Sequence, residues 1–316
     1  MTAPPIFLLG VSRSGTTLLR VMLDRNTQLA VPDESFFIPT LAERHPRAVD
    51  REAFLDDLRR LPSLRDWGVP LDAVAARLRP GITIGPAIAA VYETYAAEHG
   101  KARWGDKTPM YMRYLDVIAR LFPRATYIHL IRDGRDVAMS FLQMPEGISQ
   151  RSWALPRTVS DVACMWRAEV TAARRLGGEV GAAHYLEVRY EELVSDPATE
   201  LERICAHVGL SFELGMLETT GTPSAARPHQ RRLLQAPTPG VRDWRREMSA
   251  ERVDDFEVIA GDLLSELGYE RAGTRRAPAT VHARRAAYAA RVASWRAAGH
   301  VLRRSPQWRR RHPLLQ

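Results

Sequence analysis

The sequence predicts an α/β fold of three layers, a central parallel sheet flanked by helices, followed by a helical C-terminal tail. Three observations predict it. Short β-branched or aromatic runs alternate with longer helical patterns, as expected of parallel strands joined by crossover helices. The first run leads straight into a Gly/Ser turn and then a helix. Residues 271–316 change composition altogether, holding twelve Arg, no Lys and no acid.

The strand runs are Ile6–Leu9, Leu29–Val31, Thr126–Ile131 and His184–Val188, each bounded by Gly, Pro or charged residues. The helix opening near Thr16 supplies the first crossover. Residues 41–100 carry scattered Pro and Arg among Ala-rich stretches without a strand signal, and read as an inserted helical region on the substrate side. Asp196-Pro197 reads as an N-cap with Pro at the first helical position, opening a helix to about His207. Ser249 caps a further helix ending at Gly268. In the tail, Val281, Tyr288, Val292 and Trp295 fall on one narrow stripe flanked by Arg284, Arg285, Arg291 and Arg296.

The 316 residues and 45% apolar content suffice for one large α/β domain, read as 1–270, with 271–316 as its basic tail. Cys164 and Cys205 are the only cysteines and form no CxxC pair, so neither a disulfide framework nor a cysteine metal site is expected. Pro4-Pro5 runs into the first strand without a basic leader, and no apolar run reaches membrane-span length. A cytoplasmic protein is expected. Removing the tail's twelve charges from the net +8 leaves −4 for residues 1–270. Such asymmetry points to an anionic partner surface. Two readings of the tail stay open: packing back on the acidic body, or peripheral attachment to an anionic membrane through snorkelling arginines. Nucleic acid is not an expected partner, because the body lacks basic-aromatic interleaving.

The most informative segment is Pro5-Ile-Phe-Leu-Leu-Gly-Val-Ser-Arg-Ser-Gly-Thr-Thr-Leu-Leu-Arg20. Gly10 through Thr17 meets the Walker pattern except for its lysine, which Thr16 replaces; the nearby cation is Arg13. Backbone amides at a helix N-terminus attract any tetrahedral anion, whereas the Walker lysine and its Mg²⁺ serve nucleoside polyphosphates. A different anionic donor is implied. A second anion site lies in Tyr127-Ile-His-Leu-Ile-Arg-Asp-Gly-Arg-Asp-Val-Ala-Met-Ser140. Arg132 falls at a strand's carboxyl end, where ligands of open α/β sheets collect, and Ser140 follows on the next helix.

Two separated anion sites in one fold resemble the PAPS-dependent sulfotransferases, whose domain is P-loop-kinase-like. The first loop resembles their 5′-phosphosulfate loop, and Arg132 with Ser140 resembles their 3′-phosphate site. Tyr190-Glu191-Glu192-Leu193 is similar to the adenine-side segment, and Asp243-Trp244 near Gly240 to the C-terminal Gly/Trp element. Arg13 in the loop, and Lys107-Thr108-Pro109 without a following histidine, place the chain nearer the Arg-type branch, which includes the tyrosylprotein sulfotransferases. That resemblance implies 3′-phosphoadenylyl sulfate (PAPS) as co-substrate, no metal, and a small-molecule hydroxyl acceptor: a sugar, glycolipid, phenol or secondary metabolite. It also implies Glu34 as base, Arg13 and Lys107 as charge stabilisers, and donor contacts from Arg13, Ser14, Gly15, Thr16, Thr17, Arg132, Ser140 and Tyr190.

Other readings stand beside these. The fold also suits an ATP-dependent phosphotransferase or a non-catalytic anion- or lipid-binding protein. Glu34 could be an N-cap or loop charge, Lys107 a helix-capping cation, and Arg132 a surface ion pair with Asp133 or Asp136. His129 alternates with apolar residues and reads as a core histidine. His45 and His229 are outlying candidates for acceptor contact, and Met110–Tyr114 reads as helix packing.

Overall fold

The computed structural model describes residues 3–143, 156–218, 243–276 and 278–304. Among the described residues five parallel strands form a sheet: β1 (Ile6–Leu9), β2 (Leu29–Ala30), β3 (Arg103–Asp106), β4 (Thr126–Ile131) and β5 (Tyr185–Arg189). Their spatial order is β2-β3-β1-β4-β5. The chain leaves β1 for one side of the sheet and later returns to the other, so the crevice at the carboxyl end of β1 is the topological switch point.

Alternation along the strands makes the three layers. Phe7, Leu9, Ala30, Trp104 and Tyr127 face one apolar cluster, while Ile6, Leu8, Leu29, Ile128, Leu130 and Val188 face another. Helix α1 (Thr16–Asp24) packs on the second face. Five helices cover the first: α2 (Ile38–Arg44), α3 (Arg51–Arg59), α4 (Pro62–Trp67), α5 (Leu71–Arg77) and α6 (Ile84–Glu98). A 3-10 turn, Pro109–Arg113, then leads into α7 (Leu115–Leu121), on the same face.

After β4 come α8 (Gly134–Leu142) and α9 (Val159–Val180); after β5, α10 (Tyr190–Ser195) and α11 (Pro197–Val208). The Asp196 side chain accepts from the Thr199 amide, so the cap read from Asp-Pro is made. The described residues end with α12 (Trp244–Glu247), α13 (Ala250–Glu266) and α14 (Val281–Arg304). Ser249 is the N-cap residue of α13, without a side-chain cap bond. Among the described residues no helix is long and apolar enough to cross a membrane. His229, Gly240 and residues 305–316 lie outside the described residues.

Strand β3 corrects the sequence reading, which placed none there. Arg-Trp-Gly-Asp has no β-branched residue and one apolar side chain, so its pattern is silent. Its place is fixed by neighbours: Gly105 lies opposite Ile6, and a Cβ there would stand 2.8 Å from the Ile6 carbonyl oxygen. The residue is glycine because two backbones meet.

The tail helix α14 lies on the body. Val281 and Tyr288 are buried in the cluster that α8, α9 and α13 share, and Trp295 sits beside Tyr114 and under the Arg113 guanidinium. Arg291 pairs with Asp161 (2.7 Å), Arg296 with Asp116 (3.2 Å) and His300 with Glu43 (3.5 Å). The apolar stripe read from the sequence is covered by protein, and arginines beside it meet the body's acids.

Gly105→Ala is expected to lower folding stability by about 1–3 kcal/mol, because the added methyl overpacks the β1–β3 seam. Chemical denaturation measures it, and an unchanged midpoint would contradict this account of β3.

Candidate active site

The loop and four of the candidate residues follow strands, and Ser140 lies on α8. The Gly10–Thr17 loop follows β1, Glu34 follows β2, Lys107 follows β3, Arg132 follows β4 and Tyr190 follows β5. Parallel strands put all five carboxyl ends on one edge of the sheet, so residues distant in sequence face one cleft.

The loop is shaped by close approaches. Gly10 packs so near β4 that a Cβ would stand 2.9 Å from the Leu130 carbonyl oxygen. Gly15 has φ 93°, and a Cβ there would lie 2.4 Å from the Tyr190 ring. Arg13 holds φ 78°, a left-handed conformation uncommon outside glycine and frequent at functional turns. The Ser14 amide is used within the loop, donating to the Val11 carbonyl at 3.0 Å. Thr16 and Thr17 open α1 ahead of its first bonds, which run from the Leu18 and Leu19 amides to the Gly15 carbonyl. The Ser14 hydroxyl is buried without a hydrogen-bond partner.

Lys107 joins three of these segments. Its ammonium, 1% exposed, donates to Glu34 Oε1 at 2.5 Å and to Thr17 Oγ1 at 3.2 Å. The β2 loop, the β3 end and the start of α1 therefore meet at one cation. Among the described residues the other Glu34 oxygen makes no hydrogen bond, and the side chain is 20% exposed.

The second candidate anion site adjoins the first. Arg13 Nε donates to Ser140 Oγ at 3.0 Å, across 127 residues of sequence. The Arg132 guanidinium lies over the Tyr190 ring, 4.4 Å from its centroid, and 3.7 Å from Asp136. Arg132 Nε is buried without a hydrogen-bond partner. Burial pushes the Asp136 carboxyl up to about 6, against the pull of Arg132. Ser14 Oγ and Arg132 Nε, both buried and without partners among the described residues, suit an anion with two acceptor ends.

Sequence reading missed what fixes this half of the cleft. Asp133 does not pair with Arg132; it takes the fully buried Arg135 in two hydrogen bonds, Nε to Oδ1 (3.0 Å) and Nη2 to Oδ2 (2.7 Å). Glu257 of α13 accepts from the other arm of Arg135 at 2.7 Å, and Trp244 caps its face at 3.5 Å. Trp244 also donates from Nε1 to Asp133 and from its amide to Asp136. The Asp243-Trp244 element is thus bound to the end of β4. The repeated Arg-Asp spacing in Arg132-Asp133-Gly134-Arg135-Asp136 was the available signal, but its partners Trp244 and Glu257 are over a hundred residues away.

The remaining candidates are accounted for elsewhere. His45 Nε2 is 3.1 Å from Asp57, which also binds Arg44, so this trio ties α2 to α3. Met110–Arg113 lie in the 3-10 turn and Tyr114 caps α7, with Tyr111, Met112 and Tyr114 buried. A cavity of about 610 Å³ lies away from the cleft, between α13, residues 271–276 and α14. Its Arg271, Arg275 and Arg285 are paired with Glu257, Asp254 and Asp262, which makes it a clasp between helices.

A family model described as "Sulfotransferase family" matches residues 4–213, which span β1 to the end of α11 and include Arg13, Glu34, Lys107, Arg132, Ser140 and Tyr190. The chain belongs to the sulfotransferase family. Within it, the nodulation protein NoeE of Sinorhizobium fredii is 32% identical over 289 residues, covering 84% of this chain and 65% of NoeE. This chain therefore spans just under two thirds of that relative's length. Protein-tyrosine sulfotransferase 2 of Gallus gallus is 25% identical over 277 residues, covering 84% of this chain and 70% of the other. Among solved structures, the sulfotransferase domain of the Synechococcus PCC 7002 olefin synthase superposes with a TM-score of 0.55 at 28% identity. That match covers 82% of this chain and 96% of the domain. The family and the P-loop-like α/β fold expected from the loop and Arg132 segment are thereby established.

His129 is a core histidine: fully buried in β4, with Nδ1 2.6 Å from the Tyr185 hydroxyl. Burial pulls its pKa down to about 3, with Arg174 adding to the shift. The folded chain then binds fewer protons than the unfolded one, whose histidine titrates near 6.5, so stability is lost as pH falls from 6.5 toward 3. Between pH 7 and pH 5 the wild type is expected to lose about 2 kcal/mol more than His129→Gln. Denaturant titrations at both pH values measure the difference, and equal losses would contradict the assignment.

Proposed function

We propose that this protein transfers a sulfuryl group from 3′-phosphoadenylyl sulfate to a hydroxyl acceptor by in-line displacement at sulfur. The observation that carries this reading is the meeting of Glu34, Lys107 and Thr17 at the switch point, beside a loop that lacks the Walker lysine and presents Arg13 instead. Glu34 takes the acceptor hydroxyl's proton on its unbonded oxygen. The acceptor oxygen bonds to sulfur while the bond from sulfur to the phosphate oxygen breaks. The leaving phosphate departs as an anion and needs no acid, since its second pKa is about 6.

Arg13 and Lys107 hold positive charge where negative charge grows between sulfur and phosphate. Arginine keeps its proton throughout and can bridge two oxygens at once. The amides of Thr16 and Thr17 and the Ser14 hydroxyl would hold the 5′ side of the donor. Arg132, with Ser140, would take the 3′-phosphate, and the Tyr190 ring would serve the adenine side. Ser14 Oγ and Arg132 Nε, unpartnered among the described residues, gain partners in this arrangement. The acceptor belongs to the small-molecule hydroxyls, among them sugars, glycolipids, phenols and secondary metabolites.

Mass spectrometry of a metabolite extract incubated with enzyme and donor should reveal sulfated products. Glu34→Gln is expected to lower kcat by about 10²–10⁴-fold, and Arg13→Ala by about 10²–10³-fold. Unchanged transfer by Glu34→Gln would remove Glu34 as base. Absence of any transfer by the wild type across a broad acceptor panel would overturn the reading.

A further inference from the structure

We infer that Asp106 is a positioning residue of this centre: through Ser35 its buried carboxylate locks the loop bearing Glu34 to the strand end bearing Lys107. The inference rests on the roles proposed above for Glu34 and Lys107.

Asp106 closes β3 and is 1% exposed. One of its oxygens, Oδ2, accepts three hydrogen bonds: from Ser35 Oγ at 2.7 Å, Tyr92 Oη at 2.7 Å and Thr108 Oγ1 at 3.3 Å. The Ser35 amide donates to Thr108 Oγ1 at 3.0 Å. Because the Ser35 hydroxyl proton is spent on the carboxylate, the Tyr111 hydroxyl, 2.6 Å away, must donate to Ser35. That leaves the Tyr111 oxygen to accept from the Ile38 amide at 3.1 Å. A single carboxylate thereby sets the donor direction of the whole chain from Ile38 through Tyr111 and Ser35. Every member is buried, so water cannot substitute for a lost partner.

These bonds lie one residue from the reacting groups. Ser35 follows Glu34, while Asp106 and Thr108 flank Lys107 on either side. Two cross-links, Ser35 to Asp106 and Ser35 to Thr108, therefore bracket the contact between Glu34 and Lys107. The backbone beyond Ser35 confirms how tightly the loop is held. Phe36 has φ 57°, a left-handed conformation costly for an aromatic residue, which persists only where its surroundings over-determine it. The Ser35 bonds lie on one side of Phe36 and the bond from Ile38 to Tyr111 on the other. Tyr92 brings the same oxygen a donor from α6, so helices of the substrate-side face feel the state of this carboxylate. Asp106 touches neither donor nor acceptor in this account; it acts through Ser35.

The test uses the full chain with Asp106→Ala, Asp106→Asn and Ser35→Ala beside Glu34→Gln. Asp106→Ala and Ser35→Ala should each lower kcat by about 10–10²-fold, the scale of a misplacement near 1 Å. Calorimetric affinity and stoichiometry for adenosine 3′,5′-bisphosphate should stay at wild-type values, which separates misplacement from loss of folded protein. Asp106→Asn keeps an acceptor oxygen toward Ser35 and Tyr92 and should recover most of the rate. Hydrogen–deuterium exchange supplies a readout independent of turnover: amides of residues 34–38 should lose protection in Ser35→Ala while those of the Gly10–Thr17 loop do not. Wild-type kcat in Ser35→Ala, wild-type exchange at residues 34–38, or an Asp106→Asn as slow as Asp106→Ala would each overturn the inference. If Glu34→Gln instead turns over at the wild-type rate, the base assignment itself fails, and the inference with it.

Discussion

Burying an ammonium costs several kcal/mol unless the charge is paired and its hydrogens are placed. Lys107, 1% exposed, meets that requirement with one carboxylate and one hydroxyl, drawn from the segments after β2 and β1. The rest of the cleft depends on this contact. It fixes how far the loop bearing Glu34 stands from the helix that opens the anion loop. It also explains the position of β3, a strand without intrinsic strand character that must end where Lys107 can reach both partners. The network around Asp106 is the support beneath it, and Gly105 is the spacing that lets β3 press against β1.

On the other side of β1 the problem is the same with a different solution. Arg135 is fully buried and answered by Asp133, Glu257 and the face of Trp244. Since those partners come from α8's N-cap, α13 and α12, the arginine draws the C-terminal segments onto the end of β4. Arg132 is then left between Asp136 and the Tyr190 ring. Exchanging roles between two arginines three residues apart would undo both the clasp and the candidate anion site.

Much of this was legible in the sequence where the signal is contiguous. Gly10–Thr17 and Arg132 to Ser140 each hold a strand end, a turn and a helix start in one short stretch, so the chemistry and its placement are read together. Glu34 and Lys107 could be named, but not their contact, because pairing of loops after β2 and β3 depends on a strand the pattern does not announce. Ser35, Asp106, Tyr92 and Tyr111 were silent for the same reason: each is an ordinary polar residue until four elements bring them within hydrogen-bond distance. In the tail, periodicity gave the stripe of Val281, Tyr288, Val292 and Trp295 correctly. It could not say what covers that stripe, since periodicity defines a face and not its partner.

On the proposed function, this cleft takes a nucleotide with phosphates at two separate positions in place of a nucleoside triphosphate with Mg²⁺. Calorimetry with adenosine 3′,5′-bisphosphate and, separately, with ATP plus Mg²⁺ tests it most directly. The account predicts one site per chain for the bisphosphate, weakened about 10–10²-fold by Arg132→Ala through loss of a charged hydrogen bond. Preference for ATP with Mg²⁺, or bisphosphate binding indifferent to Arg132, would contradict it.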